Sequence, residues 1–254
     1  MSYSLTKEEA MINLDKLTRE VSLLKKEMNI VGQEAEVWVV MDMSGSMSPL
    51  FRDGTVQKVV DRAMAVGMGF DANKQIDVAI FGSSAKYMGA VNENNFYGYA
   101  DYLWNKQGQM GATYYASAIN VIVEESFTEK TTSRKGGVLG LFSKKTVETK
   151  TIEVLEKPVY VLFFTDGDNH DKPATTQLIR DLSNKGIFFQ FIGLGSSSFD
   201  YLEKLDNMSG RVLDNANFFQ VRNIDDWTDH DILAKMMSEF AGWVPQARAK
   251  GFIK

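Results

Sequence analysis

The segment Val37-Trp38-Val39-Val40-Met41-Asp42-Met43-Ser44-Gly45-Ser46-Met47 constrains the fold more than any other in the chain. Its apolar half has the length and the β-branched content of a buried strand. It then runs directly into one carboxylate and two hydroxyls, spaced at alternate positions around a glycine. In an open parallel sheet, ligands collect beyond the carboxyl ends of the strands. A strand that stops on Asp42-x-Ser44-x-Ser46 therefore delivers three oxygen-bearing side chains to that crevice. Such oxygens suit a hard divalent cation. A metal-centred site is expected, with its remaining ligands drawn from elsewhere in the chain.

The rest of the chain supplies strands and helices in alternation. Ile76 to Phe81 reads as a strand. The short Gly82-Ser83-Ser84 link sends Ala85 to Val91 back antiparallel, as an edge strand. Val159 to Phe164 and Ile187 to Ile192 are apolar throughout, as strands covered on both faces are, and Asn217 to Val221 is the last strand. Between them lie helices from Thr55 to Phe70, Tyr114 to about Glu125, Ala174 to about Lys185 after Pro173, Phe199 to Met208, and Asp229 to Trp243. Gly67 and Gly69 should let the first of these lie close to the sheet. This alternation implies an α/β fold, doubly wound around a mostly parallel central sheet with one antiparallel edge strand.

Before the first strand, Leu14, Leu17, Val21, Leu24 and Met28 recur at steps of three and four from about Ser4 to Asn29, an N-terminal amphipathic helix. It either docks on its own domain or meets a partner. The aromatic stretch from Asn92 to Gln109 reads as a small helix packed on the domain or as a ligand-stacking surface. Ser48-Pro49 and Asp53-Gly54 read as turns. Residues 128–157 form a basic, glycine-rich insertion: Lys130, Arg134, Lys135, Lys144 and Lys145 surround Gly136 to Phe142, and Thr146 to Leu155 reads as an extended arm. The insertion is a surface loop, or a peripheral contact (130–145) for an acidic partner or a membrane surface.

Composition excludes several classes. With 44% hydrophobic and 24% charged residues, the 254-residue chain is an ordinary soluble one. A net charge of −5 gives no basic field for nucleic acid. The absence of cysteine excludes disulfides, thiolate metal sites and a cysteine nucleophile, and fits a reducing compartment. No signal-peptide pattern and no membrane-spanning run is expected, so the chain reads as cytoplasmic.

The oxygens can now be gathered: Asp42, Ser44 and Ser46 after the first strand, Thr113 in Gly111-Ala112-Thr113 before a helix, and Asp166 in Thr165-Asp166-Gly167 after the Val159–Phe164 strand. Thr113 also stands where a helix N-cap belongs. This set resembles the von Willebrand factor A (vWA) domain and its metal-ion-dependent adhesion site, over about Ala35 to Trp243. Pro49-Leu50-Phe51, Asp53-Gly54-Thr55-Val56-Gln57, Gly69-Phe70-Asp71, Ile76-Asp77-Val78 and Phe81-Gly82 are similar to the TerF/TerY-like A domains of tellurium-resistance proteins. The division expected is a helix over residues 1–32 and the vWA domain over 35–254. The resemblance implies that Ser44, Ser46 and Thr113 contact Mg²⁺ or Mn²⁺, with Ca²⁺ less suited, while Asp42 and Asp166 act through hydrogen bonds and bridging water.

The function expected is a non-enzymatic cytoplasmic module that captures an Asp or Glu of a protein partner through the cation, in a tellurite- or stress-resistance complex. The alternatives are a Mg²⁺-dependent phosphohydrolase using Asp42, or a subunit docking on a chelatase-type ATPase. His170, close after Asp166, reads as a solvated rim residue or as a general acid–base. His230 reads as a surface helix residue.

Overall fold

The computed structural model describes residues 5–135 and 144–254, with the side chains of 130–148 outside the described set. The chain forms α1 (Lys7–Glu27), β1 (Glu36–Asp42), α2 (Ser48–Arg52), α3 (Thr55–Phe70), β2 (Gln75–Phe81), β3 (Ala85–Asn92), α4 (Tyr99–Gln107) and α5 (Tyr115–Ser126). After these come β4 (Thr128–Lys135), β5 (Lys144–Thr151), β6 (Val159–Thr165), α6 (Lys172–Asp181), β7 (Ile187–Leu194), α7 (Asp200–Asp206), β8 (Ala216–Val221) and α8 (Asp229–Ala249). Ser48-Pro49 opens α2 rather than a bare turn, because proline is tolerated in the first helical turn.

Six strands form one sheet in the order β3-β2-β1-β6-β7-β8. All pairings are parallel except β2–β3, which places the antiparallel strand at an edge. β1 lies between β2 and β6, and its last six residues are buried, as are all of β6 and β7. Two aromatic layers sandwich these strands. Tyr160 of β6 stacks on Phe240 of α8 at 4.1 Å, with Phe188 and Phe70 of α3 beside them. Three residues on along β6, hence on the other face, Phe163 meets Tyr115 of α5 at 4.9 Å, and Phe81 and Phe191 complete that layer.

α1 docks on its own chain. Thr6 and Glu9 form a capping box at its start. Ala10, Leu14, Leu17, Val21 and Leu24 are buried along its inner face. A Cβ on Gly67 would stand 2.7 Å from the Gln75 carbonyl, so that glycine does bring α3 onto the sheet. Gly69 has a different role: a Cβ there would meet Val21 of α1 at 2.4 Å, so it receives α1. Lys25, buried near the end of α1, donates to the carbonyls of Gln33 and Gly69 and lies 4.3 Å from the Phe70 ring centre.

In the aromatic stretch, Phe96 and Tyr99 are buried while Tyr97 and Tyr102 are exposed, so only part of it packs as a helix face. The basic insertion contains an antiparallel hairpin, β4 with β5, forming a sheet of its own. Gly136 to Phe142, and the side chains of Lys130, Arg134, Lys135, Lys144 and Lys145, lie outside the described residues. Among the described residues no helix is long and apolar enough to cross a membrane.

Candidate metal centre

Where β1 ends, Asp42 is fully buried and held at both carboxylate oxygens. Ser44 N–H donates to Oδ1 at 2.7 Å, and the Thr165 hydroxyl at the end of β6 donates to Oδ2 at 2.7 Å. Behind Thr165 the Tyr115 hydroxyl lies 3.1 Å away and donates to the Gly167 carbonyl at 2.6 Å. The ends of β1 and β6 are thus joined directly by the Thr165–Asp42 bond, with Tyr115 of α5 braced against the β6 end.

From Ser44 the chain enters a short 3-10 turn over Gly45–Met47, which returns Ser46 beside Ser44. The two hydroxyl oxygens are 3.1 Å apart, and Ser46 donates to Asp166 Oδ1 at 2.8 Å. The Gln109 side-chain amide packs over Gly45, 2.5 Å from where a Cβ would stand, so a larger residue there would displace it. The Gln109–Tyr114 loop is sewn across both strand ends. Met110 N–H donates to the Met43 carbonyl at 2.7 Å, and Tyr114 N–H to the Gly82 carbonyl at 3.0 Å. Gly82 admits this crossing, since a Cβ on it would stand 2.4 Å from that of Met110.

Thr113 is buried in this loop, and its carbonyl accepts from His170 N–H at 2.9 Å. The preceding Ala112 has φ of 54°, a left-handed conformation that costs a non-glycine residue roughly 1–3 kcal/mol. Thr113 does not cap α5. Asp171 does so from the start of α6, its carboxylate accepting from Tyr115 N–H at 3.1 Å and Ala116 N–H at 2.9 Å. Asn169 braces Asp171 in turn, donating to it at 2.8 Å and to Thr175 at 3.0 Å. The Ser44, Ser46 and Asp166 side chains therefore form one hydrogen-bonded group, to which Asp42 is tied through the Ser44 amide, while Thr113 is held in its loop by its backbone bond from His170.

Sequence reasoning singled out neither Asp171 nor Gln109 and Tyr115, and took Thr165 only as part of a turn. Asp171-Lys172-Pro173 carries the signature of a cap for α6, and its reach to a different helix is a tertiary event. At the rim the exposed His170 ring lies 6.0 Å from that of Tyr114, and Asp168 pairs with Lys172. His230 lies far along the chain and pairs with Glu20 of α1 at 2.7 Å.

Burial pushes the Asp42 carboxyl up to about 6, against the lowering effect of its hydrogen bonds from Thr165 and Ser44. Burial also raises Asp166, with the Ser46 hydroxyl opposing it. Among the described residues no group of three or more His, Cys, Asp or Glu gathers as a metal site. The donors here are hydroxyls and two carboxylates, which favour hard ions. Adjacent ligands of an octahedral ion with bonds of about 2.1 Å stand roughly 3 Å apart. The Ser44–Ser46 oxygen spacing of 3.1 Å matches that edge.

The profile described as "vWA-TerF-like: vWA found in TerF C terminus" matches residues 34–253. The chain belongs to the vWA-TerF-like family. YcbR of Bacillus subtilis (strain 168), itself uncharacterized, is 32% identical over 248 residues, 96% of this chain and 91% of its own. Among solved structures, proximal thread matrix protein 1 from the mussel byssus aligns at a TM-score of 0.50 and 17% identity. The alignment covers 82% of this chain and 48% of that one, so this chain spans about half its length, and at such identity the likeness shows the fold alone. vWA domains are in general interaction modules rather than enzymes.

Proposed function

We propose that this vWA-TerF-like chain is a cytoplasmic binding module that captures an Asp or Glu of a partner protein through Mg²⁺ or Mn²⁺. In this reading residues 1–32 form a docked helix and 35–254 the adhesion domain. The observation that carries it is the group Ser44–Ser46–Asp166, with Asp42 behind it, at the carboxyl edge of the sheet. Ser44, Ser46 and Thr113 would hold the ion by their hydroxyls. Asp42 and Asp166 would orient those hydroxyls and bound water. An ion held mostly by neutral oxygens keeps much of its charge and attracts a carboxylate from outside. The buried Asp42, engaged at both oxygens, is poorly placed to attack a phosphate, which disfavours the phosphohydrolase reading. The TerF likeness points to assembly of a tellurite- or stress-resistance complex as the setting.

Mn²⁺ titration followed by electron paramagnetic resonance tests the ion site. Wild type should bind one ion, and Asp42→Ala should lose binding by at least about tenfold while keeping its circular dichroism. Capture of a partner should occur in Mg²⁺ and fail in EDTA. Equal Mn²⁺ binding by wild type, Asp42→Ala and Asp166→Ala would sink the proposal. Tellurite survival of cells carrying Asp42→Ala in place of wild type tests the setting separately.

A further inference from the structure

Between β3 and the start of α4 the aromatic stretch borders a cleft of about 360 Å³, lined by Met88, Ala90, Asn95, Tyr97, Tyr99 and Tyr102. That volume is within the range of ligand pockets. Met88 and Ala90 of β3 supply its apolar side, and three tyrosines supply the rest. Gly98, with φ of 68°, turns the chain between Tyr97 and Tyr99 in a conformation that glycine adopts freely. Tyr97 is pinned by its hydroxyl, which donates to the Leu5 carbonyl at 3.0 Å. Tyr99 and Tyr102, three apart on α4, hold their ring centres 5.5 Å apart.

The polar groups of this cleft offer protons and lack acceptors. Tyr99 is only 6% exposed, yet its hydroxyl makes no hydrogen bond among the described residues. A phenol so deeply set ordinarily finds a partner. Asn95 Oδ1 accepts from Asn92 N–H at 2.8 Å, which fixes the amide and leaves its exposed NH₂ group without an acceptor among the described residues. The Tyr102 hydroxyl accepts from Lys106 Nζ at 2.5 Å, so its own proton is also uncommitted. No carboxylate side chain is among the lining residues.

We propose that this cleft binds a proline-rich segment of a partner protein in the polyproline II conformation. Such a segment presents solvated carbonyl acceptors and, at each proline, no N–H that would need a partner. Its compact apolar rings pack in aromatic-lined grooves. Strand addition to the outer edge of β3 is disfavoured, because the β2–β3 ladder shifts register at Val78/Ala79 and Gly89 opposite has φ of 96°. The four prolines of this chain, Pro49, Pro158, Pro173 and Pro245, stand singly, so a second copy does not supply the segment. Ala90 pairs with Asp77 toward the start of β2, whereas Asp42 pairs with Phe81 at its end. The cleft is therefore separate from the strand-end oxygens, and its occupancy does not depend on the ion.

Fluorescence anisotropy of a labelled oligoproline about ten residues long tests this on the full-length protein in EDTA. Wild type should bind it saturably and should not bind a glycine–serine peptide of equal length. Tyr99→Phe removes only the unpartnered hydroxyl and should weaken binding about fivefold with an unchanged melting temperature. Tyr102→Ala, at an exposed position, should weaken it about tenfold. Tyr87→Phe, at an exposed tyrosine outside the cleft, should bind as wild type. Absence of saturable oligoproline binding overturns the proposal, as does equal binding of the glycine–serine peptide. Binding unchanged in both Tyr99→Phe and Tyr102→Ala overturns it as well. Binding of an alternating valine–threonine peptide in place of oligoproline overturns it in favour of strand addition.

Discussion

Asp42 carries a carboxylate where the fold disfavours charge. Its folded value of about 6 lies above the ordinary 3.8, so between those pH values the folded state holds a proton that the unfolded chain has released. The resulting stabilisation is full below about pH 4 and is lost as pH rises to about 6, amounting to roughly 3 kcal/mol. In EDTA, urea denaturation should therefore show Asp42→Asn flattening the fall in stability across that interval. Asp166 shifts in the same direction, so part of the slope should persist. Lys25 is another buried charge, here one whose ammonium serves two carbonyls. Lys25→Met keeps the apolar stem but leaves both carbonyls without their donor, and should cost about 1–3 kcal/mol in the same measurement.

Among the elements, α3 and α5 show what can and cannot be read before folding. Strands such as β6 and β7 are legible because their burial on both faces demands unbroken apolar runs, and the antiparallel edge follows from a link too short for a crossover. The oxygens of Asp42, Ser44, Ser46 and Asp166 were legible as strand-end groups, because a parallel sheet sends its strand ends to one side. The roles of Gly69 and Asp171 were not, since each depends on a partner distant in sequence. Residues 130–135 contain no apolar side chain, so no periodicity announces β4. Gly69→Ala should destabilise α1 docking by about 1–3 kcal/mol, and Val21→Ala in the same chain should recover part of that loss. Asp171→Ala removes the acceptor for the first two amides of α5 and should cost about 1–2 kcal/mol. Hydrogen exchange at Tyr115 and Ala116 should quicken, and Mn²⁺ affinity should fall with it if Thr113 is a ligand.

For the molecule as a whole, the domain presents its strand-end oxygens at one end and its basic hairpin at the other. The sheet between them is braced by aromatic layers on both faces, so neither end needs the other in order to fold. The backbone at the hairpin base closes through the Phe127–Ile152 hydrogen bond, with the two chains already adjacent. Everything beyond that closure is therefore exchangeable. Replacing residues 130–149 by an Asn-Gly turn should change unfolding free energy by less than about 1 kcal/mol. Such a trimmed chain should still take up Mn²⁺ as the full-length protein does. The same position should accept a fluorescent graft or a foreign epitope, giving the domain a handle remote from the loops that would hold the ion.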